Sequence, residues 1–378
     1  MNMHDLRSKT RGIPLTRPSL VGYEKVEKEF REIWNSKQIT LGKYTRKFEA
    51  SLENYLNVRN VIAVSSCTSG LMLAIKALEL SGEVIVPSFT FAATVHALLW
   101  GQCTPVFADC EEGTYCIDPS KIKSLITKKT TAIMPVYVYG HPPNFNKLQK
   151  IADEYGLKIL SDAASALGAK YRRVFAGGFG NVEVFSLSPT KVLSSAEGGL
   201  VTTNDDELAR RIRLMRNYGK SEDGSNMLFV GLSARMSEFH AIIGWKNLQN
   251  LNSMIRKRNH LIARYKKQLK GLDGISFQRV SPDCELNGNY MIIFVDPKLA
   301  KIDRDQLRAV LAAAGIQTRK YFDPPVHKQT AYAVLALKQD GLRVTARASR
   351  NSLVLPLHSN MTLNEVDVVC HRIKTAPT

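Results

Sequence analysis

Short apolar runs alternate with stretches of helical apolar spacing between residues 58 and 205. The runs are rich in β-branched residues and predict strands at VIAVS (61–65), EVIVP (83–87), TPVFAD (104–109), TTAIMPVYV (130–138) and LKILSD (157–162). Helices are predicted at LMLAIKAL, AATVHALLW, KIKSLI and NKLQKIADEYG. This alternation is typical of βα units, which form a mainly parallel sheet with helices on both faces. Such sheets bind ligands at the carboxyl ends of their strands.

The pattern changes after Asp205. The stretch from Ala234 to about Lys270 has apolar residues at helical spacing and predicts one or two long helices. Beyond it, strands are predicted at ISFQRV, YMIIFVD and SLVLPL, and helices at RDQLRAVLAAAG and NEVDVVCHRIK. A chain of 378 residues is long enough for two domains. We therefore predict a large α/β domain over residues 13–255 and a smaller C-terminal α+β domain over residues 256–378.

The composition is that of a globular protein, with 44% hydrophobic and 23% charged residues. No uncharged apolar run is long enough to predict a membrane span. The N-terminal MNMHDLRSKTRG lacks the apolar segment of a secretory signal, so a cytoplasmic location is expected. The six cysteines contain no C-x-x-C pair and no Cys/His cluster, which argues against a disulfide framework and a metal site.

The net charge of +18 suits anionic partners, which include nucleic acid, a membrane surface or a phosphorylated small molecule. The basic residues are spread along the chain in modest clusters and form no long block interleaved with aromatic residues. We therefore predict no nucleic-acid site and interpret the excess as a solvated basic surface that also attracts anions.

Two segments at predicted strand ends could hold parts of a ligand. SSCTSG (65–70) leaves backbone N–H groups free at a helix N-terminus, which favours a phosphate, although Ser66 or Thr68 could equally serve as a simple N-cap. In SFTFAAT (88–94), Phe91 could stack on a flat heterocycle or belong to the core.

Two charged residues at strand ends add reactive groups. Asp162 ends LKILSD and could hold a proton on a ring nitrogen, or cap the following turn. Lys191 lies in FSLSPTKVLSSAEGGLVTTND (185–205), in a bend rich in Ser, Thr and Gly between two predicted strands. Most lysines are surface charges, but a desolvated lysine amine attacks carbonyls to form a Schiff base. Together the four features match the needs of pyridoxal phosphate, namely a phosphate cup, a stacking aromatic, an acid and a lysine.

At these residues the sequence resembles the DegT/StrS family of sugar aminotransferases. The resemblance extends over nearly the whole chain and includes VPSFTFAATVHALLWGQCTPVFADCEEGTYCIDP, MPVYVYGHP, DAASALGAKY, FSLSPTKVLSSAEGG, LSARMSEFHAIIG and YFDPPVHKQTAY. It implies fold type I of the pyridoxal-phosphate-dependent transferases, with a seven-stranded, mainly parallel sheet in the large domain. It also implies a homodimer with shared active sites.

The resemblance assigns roles to individual residues. Lys191 would form the Schiff base and shuttle protons, and Asp162 would pair with the ring nitrogen. Phe91 would stack on the ring, and the phosphate would be held by Thr68, Ser69 and Ser186. Arg235 would reach the active site of the partner subunit, and Tyr321 and His327 would lie near the sugar pocket.

Three positions depart from the family pattern. Cys67 stands where the phosphate cup usually has Gly. Ser165 replaces a Gln that faces the ring hydroxyl, and Ser233 replaces an Asn that often contacts the cofactor phosphate from the neighbouring subunit. We still assign Ser165 and Ser233 to the cofactor site, together with Arg235, and we expect weaker retention of pyridoxal phosphate than is usual for the family.

The resemblance implies a ping-pong transamination. L-glutamate would convert pyridoxal phosphate to pyridoxamine phosphate, and a keto group on a nucleotide-linked sugar would accept the amine. Amination of a cyclitol or carbocyclic ketone, a sugar dehydratase and a non-catalytic pyridoxal-phosphate-binding regulator remain alternatives. The dehydratase branch replaces the lysine with His, so Lys191 favours amination.

Overall fold

The computed structural model describes residues 12–335 and 341–377. Residues 1–11, which carry most of the N-terminal segment discussed above, lie outside this range. The described strands are β1 Asn60–Val64, β2 Glu83–Pro87, β3 Thr104–Ala108, β4 Thr130–Ile133, β5 Lys158–Asp162, β6 Lys170–Tyr171, β7 Val174–Phe175, β8 Val182–Ser186, β9 Gly199–Thr203, β10 Ile275–Phe277, β11 Cys284–Glu285, β12 Met291–Val295 and β13 Ser352–Leu355.

The α-helices of the same residues surround these strands. They are α1 Glu27–Ser36, α2 Lys43–Leu56, α3 Cys67–Ala77, α4 Ala92–Trp100, α5 Pro119–Ile122, α6 Phe145–Tyr155, α7 Asp206–Met215, α8 Glu238–Leu248, α9 Leu251–Leu269, α10 Pro297–Ala300, α11 Arg304–Ala313, α12 Arg343–Asn351 and α13 Leu363–Lys374.

The large sheet has seven strands in the order β1-β9-β8-β5-β4-β2-β3. The neighbouring strands from β8 to β3 pair in parallel, and β9 runs antiparallel to both β8 and β1. Both faces of the sheet are covered. In β1, for example, Val61 and Ala63 belong to one buried apolar cluster, and Ile62 and Val64 belong to another. The predicted α/β fold with a mainly parallel sheet is therefore confirmed.

The fourth strand is shorter than the sequence pattern predicts. It ends at Ile133, whereas the apolar run TTAIMPVYV continues to residue 138. Pro135 has no N–H with which to continue the backbone hydrogen bonding between strands. Its carbonyl still accepts a hydrogen bond from Asp162 N at 2.9 Å. The chain then forms a short 3-10 helix at Val138–Gly140, in which Tyr139 has a φ of 58°. This turn brings backbone and aromatic groups to the carboxyl edge of the sheet.

The C-terminal part contains an antiparallel sheet in the order β10-β12-β13. Its apolar residues form a buried cluster with the inner faces of α9, α11 and α13. Helix α9 is continuous across the predicted domain boundary between residues 255 and 256, so the division into two domains stays a prediction. Among the described residues, no helix is both long and apolar enough to cross a membrane.

Candidate active site

A cavity of about 360 Å³ opens at the carboxyl ends of the large sheet. Chain segments that follow β1, β2, β5 and β8 contribute side chains to it, as expected for a parallel sheet. Seven of the eleven residues assigned to the site from the sequence line this cavity: Thr68, Phe91, Asp162, Ser165, Ser186, Lys191 and Tyr321. The fold therefore brings together groups that are far apart in the sequence.

Asp162 ends β5 and is buried at the base of the cavity. Its Oδ2 accepts a hydrogen bond from Thr94 Oγ1 at 2.7 Å, and its Oδ1 accepts from Ala164 N at 3.0 Å. Burial raises the pKa of the Asp162 carboxyl, and the two hydrogen bonds and the charge of Lys191 offset part of that rise. A cation placed beside this carboxylate would restore its preference for the ionised form.

Lys191 lies in the bend between β8 and β9. The bend is held by hydrogen bonds of its own backbone, including Ser195 N to Leu187 O at 2.9 Å. Asn289 fixes it from outside, because its Oδ1 accepts from Val192 N at 3.1 Å. These contacts direct Lys191 Nζ toward the Asp162 side of the cavity, where it donates to Ser165 Oγ at 3.1 Å.

Hydroxyl groups gather at the entrance to α3. Ser186 Oγ donates to Ser188 Oγ at 3.3 Å, and Ser188 Oγ lies 3.4 Å from Thr190 Oγ1. Ser66 and Thr68 line the same cavity. Helix α3 begins at Cys67, and the N–H of Ser69 donates to Ser66 Oγ at 3.1 Å. The N–H groups of Cys67 and Thr68 have no intrahelical partner and can bind an anion. This end of the cavity has the chemistry of a phosphate site.

Close packing fixes the position of the α3 entrance. A Cβ built on Gly199, the first residue of β9, would lie 2.5 Å from the carbonyl carbon of Ser66. Cys67 is buried with its Sγ 3.8 Å from Val184 O, and burial raises the pKa of its thiol well above the usual range. The thiol is thus oriented toward strand β8.

Aromatic side chains form the remaining wall. Phe91 is the N-cap residue of α4, lines the cavity and is 61% exposed. Tyr321 lies across the cavity with its ring 5.9 Å from that of Tyr290, and its carbonyl accepts from the hydroxyl of Tyr139.

Four predicted site residues do not line the cavity. Ser69 completes a capping box with Ser66, in which its hydroxyl accepts from Ser66 N at 3.1 Å. Arg235 donates to Ser233 Oγ at 3.1 Å. His327 is buried with its Nδ1 2.6 Å from the hydroxyl of Ser88, and burial lowers its pKa. The roles assigned to these four residues stay predictions.

Residues 22–374 match the model of the DegT/DnrJ/EryC1/StrS aminotransferase family. The chain belongs to this family. It is 33% identical over 364 residues to dTDP-4-amino-4,6-dideoxy-D-glucose transaminase of Escherichia coli. This match covers 94% of this chain and 96% of that protein.

Solved structures agree with this assignment. The structure of DesI in the presence of its TDP-sugar product has a TM-score of 0.91 and 33% identity, and the match covers 96% of this chain and 92% of that one. DesV of S. venezuelae in complex with a ketimine intermediate has a TM-score of 0.87 and 32% identity, over 95% and 98% of the two chains. The predicted family, fold and aminotransferase class are therefore confirmed, and the family implies pyridoxal phosphate as the cofactor.

Several residues of this aminotransferase cavity were not singled out from the sequence. Thr94 holds Asp162, Thr90 lies 2.7 Å from Thr94, and Tyr139, Tyr290 and Glu197 line the walls. A weak signal existed for Thr94, because it stands one helical turn after Phe91 in SFTFAAT. Tyr139 and Tyr290 gave no such signal in the sequence, since their position in the cavity wall depends on contacts between distant segments.

Proposed function

We propose that this protein transfers an amino group from L-glutamate to a keto group of a nucleotide-linked sugar, with pyridoxal phosphate as its cofactor. One observation carries the proposal: the Lys191 amine, the buried Asp162 carboxylate and a group of hydroxyls at the start of α3 line a single cavity. Two similar proteins support the substrate class: the dTDP-sugar transaminase of Escherichia coli, and DesI, which was solved in the presence of its TDP-sugar product.

The residues of the cavity fit the cofactor. The start of α3, with Thr68 and Ser186, would hold its phosphate. Asp162 would face the ring nitrogen, and the exposed ring of Phe91 would cover the face of the heterocycle. Lys191 would face the aldehyde. When bound, pyridoxal phosphate supplies a carbonyl carbon that accepts amines and a ring that withdraws electrons from the carbon being deprotonated.

The side chains of this chain would then do the remaining work. Lys191 Nζ would take the proton from the α-carbon of the donor and return a proton during the second half of the cycle. Ser165 Oγ would orient the Lys191 amine through the 3.1 Å hydrogen bond. Asp162 would stay ionised beside the ring cation, because Thr94 and the Ala164 N–H already donate to it.

A homodimer and a cytoplasmic location belong to the same proposal. Arg235 and Ser233 do not line the cavity of their own chain, and they follow a segment that exposes the apolar residues Met227, Leu228 and Val230. This arrangement supports a subunit contact at which Arg235 meets the partner. Light scattering on the purified protein would give the mass of a dimer, and a monomer would contradict this part of the proposal.

The test of the substrate class uses protein loaded with pyridoxamine phosphate. We expect keto-sugar nucleotides to restore the absorbance of the pyridoxal form, and cyclitol ketones to leave it unchanged. The reverse result would refute the nucleotide-sugar assignment. A shift of the visible band on addition of L-glutamate would identify the donor and would exclude a non-catalytic regulator.

The role of Lys191 has a separate test. Lys191→Ala should abolish turnover while circular dichroism shows an unchanged fold. Borohydride treatment of the loaded wild-type protein, followed by peptide mapping, should label Lys191. If the variant keeps its activity with the donor, the role assigned to Lys191 is wrong.

A further inference from the structure

A second cavity, of about 680 Å³, runs along one face of helix α9. The helix contributes residues spaced three and four apart, so they share a face: Asn252, Ile255, Arg256, Asn259, Ile262 and Lys266. The opposite side is formed by β6 and β7 and by the chain from Glu285 to Tyr290. We refer to this cavity as the α9 groove.

The α9 groove carries positive charge without matching anions. Lys170 is paired with Glu285 at 3.0 Å. Arg256 and Lys266 make no ion pair with any residue that the structure describes. Lys266 is partly buried, and burial lowers the pKa of its amine with no carboxylate to oppose the effect. An anion bound in the groove would compensate both cations.

An aromatic pair marks one end of the groove. The rings of Tyr55 and Phe175 lie 5.0 Å apart with a tilt of 38°. The hydroxyl of Tyr55 donates to Asn252 Oδ1 at 2.7 Å, which places the pair at the N-terminal end of α9. Flat heterocycles stack on such rings.

A buried amide beside the groove has a donor group without a hydrogen-bond partner. Asn289 lines it and is only 3% exposed. Its Oδ1 accepts a hydrogen bond from Val192 N, but its Nδ2 has no hydrogen-bond partner among the described residues. A buried amide donor without a partner is costly, and an ordered water between Nδ2 and the groove would relieve that cost.

We propose that the α9 groove is a binding site for a nucleoside diphosphate, separate from the catalytic cavity. The base would lie against Tyr55 and Phe175, and the diphosphate would lie toward Arg256 and Lys266. These two cations are ten residues apart on α9, about 15 Å along the helix axis, and the Lys266 amine lies 5.9 Å from the centre of the Phe277 ring. Both long side chains would therefore have to reach toward the diphosphate when it binds.

The groove is next to the catalytic cavity. Tyr139 and Tyr290 line both, and the Lys191 amine lies 5.9 Å from the centre of the Tyr290 ring. A nucleotide in the groove would therefore contact the wall behind the catalytic lysine. The proposal does not depend on which ketone the enzyme aminates.

The test compares two double variants of the full-length, cofactor-loaded protein. Arg256→Ala with Lys266→Ala removes the two unpaired cations of the groove. Lys257→Ala with Lys267→Ala is the matched control, because it removes two positive charges from adjacent positions of the same helix that do not line the groove. Calorimetric titration with thymidine diphosphate at physiological ionic strength measures Kd and the number of sites per chain.

We expect the groove variant to bind thymidine diphosphate at this site at least about tenfold more weakly, as expected when a charged hydrogen-bonding group is lost. The control variant and Lys191→Ala should retain the site. Thymidine alone and inorganic pyrophosphate alone should each bind more weakly than the diphosphate, because each lacks half of the contacts.

Three results would overturn the proposal. Equal weakening in both double variants would mean that the nucleotide responds only to the overall positive charge. Binding that is unchanged in the groove variant would assign the nucleotide to another site, such as the catalytic cavity. Dissociation of an oligomer by the groove substitutions alone would identify the groove as a subunit contact.

Discussion

Replacing Thr94 with valine would remove the buried hydroxyl that donates to Asp162 without changing the shape of the side chain. The Thr94 hydroxyl lies 2.7 Å from Asp162 Oδ2 and 2.7 Å from Thr90 Oγ1, and both threonines are buried. An ionised carboxylate only accepts hydrogen bonds. The Thr94 hydroxyl therefore donates to Asp162, and the Thr90 hydroxyl donates to Thr94.

The size of the effect follows from this geometry. A hydrogen bond to a charged group contributes about 1.5–3 kcal/mol, and its upper end corresponds to roughly 150-fold in an equilibrium constant. In the cofactor-free variant, Asp162 can recover part of the lost hydrogen-bond energy by binding a proton or a water molecule. It cannot do so when it must face the cation of the cofactor ring. We therefore expect Thr94→Val to bind pyridoxal phosphate about tenfold more weakly, which is near the lower end of the range.

The assay is an equilibrium titration of apo-protein with pyridoxal phosphate, followed by its absorbance. Thr94→Ser is the matched control, because it keeps the hydroxyl and removes only a methyl group. The serine variant should bind the cofactor with nearly the wild-type Kd. Thermal unfolding of both apo-variants separates a loss of affinity from a loss of folding.

Equal affinity of the valine and serine variants would refute the reasoning, since the hydroxyl would then contribute nothing to the state of Asp162.

Three further outcomes are expected. Because burial raises the pKa of Asp162, the affinity of the wild-type protein for pyridoxal phosphate should be lost as the pH falls through that raised pKa. When the cofactor affinity is measured across a pH series, Asp162→Asn should lack this loss. Glu49→Ala should lower the free energy of unfolding, measured in urea, by about 3–5 kcal/mol, because Arg216 and Glu49 form an ion pair in which both side chains are only 9% exposed. A loss below about 1 kcal/mol would contradict this expectation. Gly199→Ala should weaken cofactor binding, because its Cβ would meet the backbone of Ser66, and an unchanged Kd in the same absorbance titration would show that the start of α3 can shift freely.

The fold was predictable from the sequence wherever one segment carried enough local information. The alternation between residues 58 and 205 predicted the parallel part of the sheet, because a strand buried on both faces needs a continuous apolar run. The length of β4 was predicted wrongly, because Pro135 interrupts an apolar run that otherwise resembles one strand. The antiparallel insertion of β9 between β1 and β8 was not predicted, since pairing order is a property of the assembled sheet.

The candidate site was predictable only at the level of residue type and chain position. Asp162 was found because it ends a predicted strand and Lys191 because it follows one, and the structure brings both to one cavity. Ser69 was assigned to the phosphate, yet its hydroxyl is engaged in a local capping box with Ser66. The sequence SSCTSG is compatible with either use, so residue type alone does not decide between them.

The sequence by itself determined the alternating elements, the basic charge and the order of the reactive residues along the chain, because these depend on neighbouring positions. Only the tertiary structure decided that Thr94 supports Asp162 from 68 residues away and that Ser165 meets Lys191 from 26 residues away. It also decided that α9 forms a basic groove beside the catalytic cavity. Such contacts depend on how buried strands and helices pack against each other, and that packing is set by the whole core together rather than by any single segment.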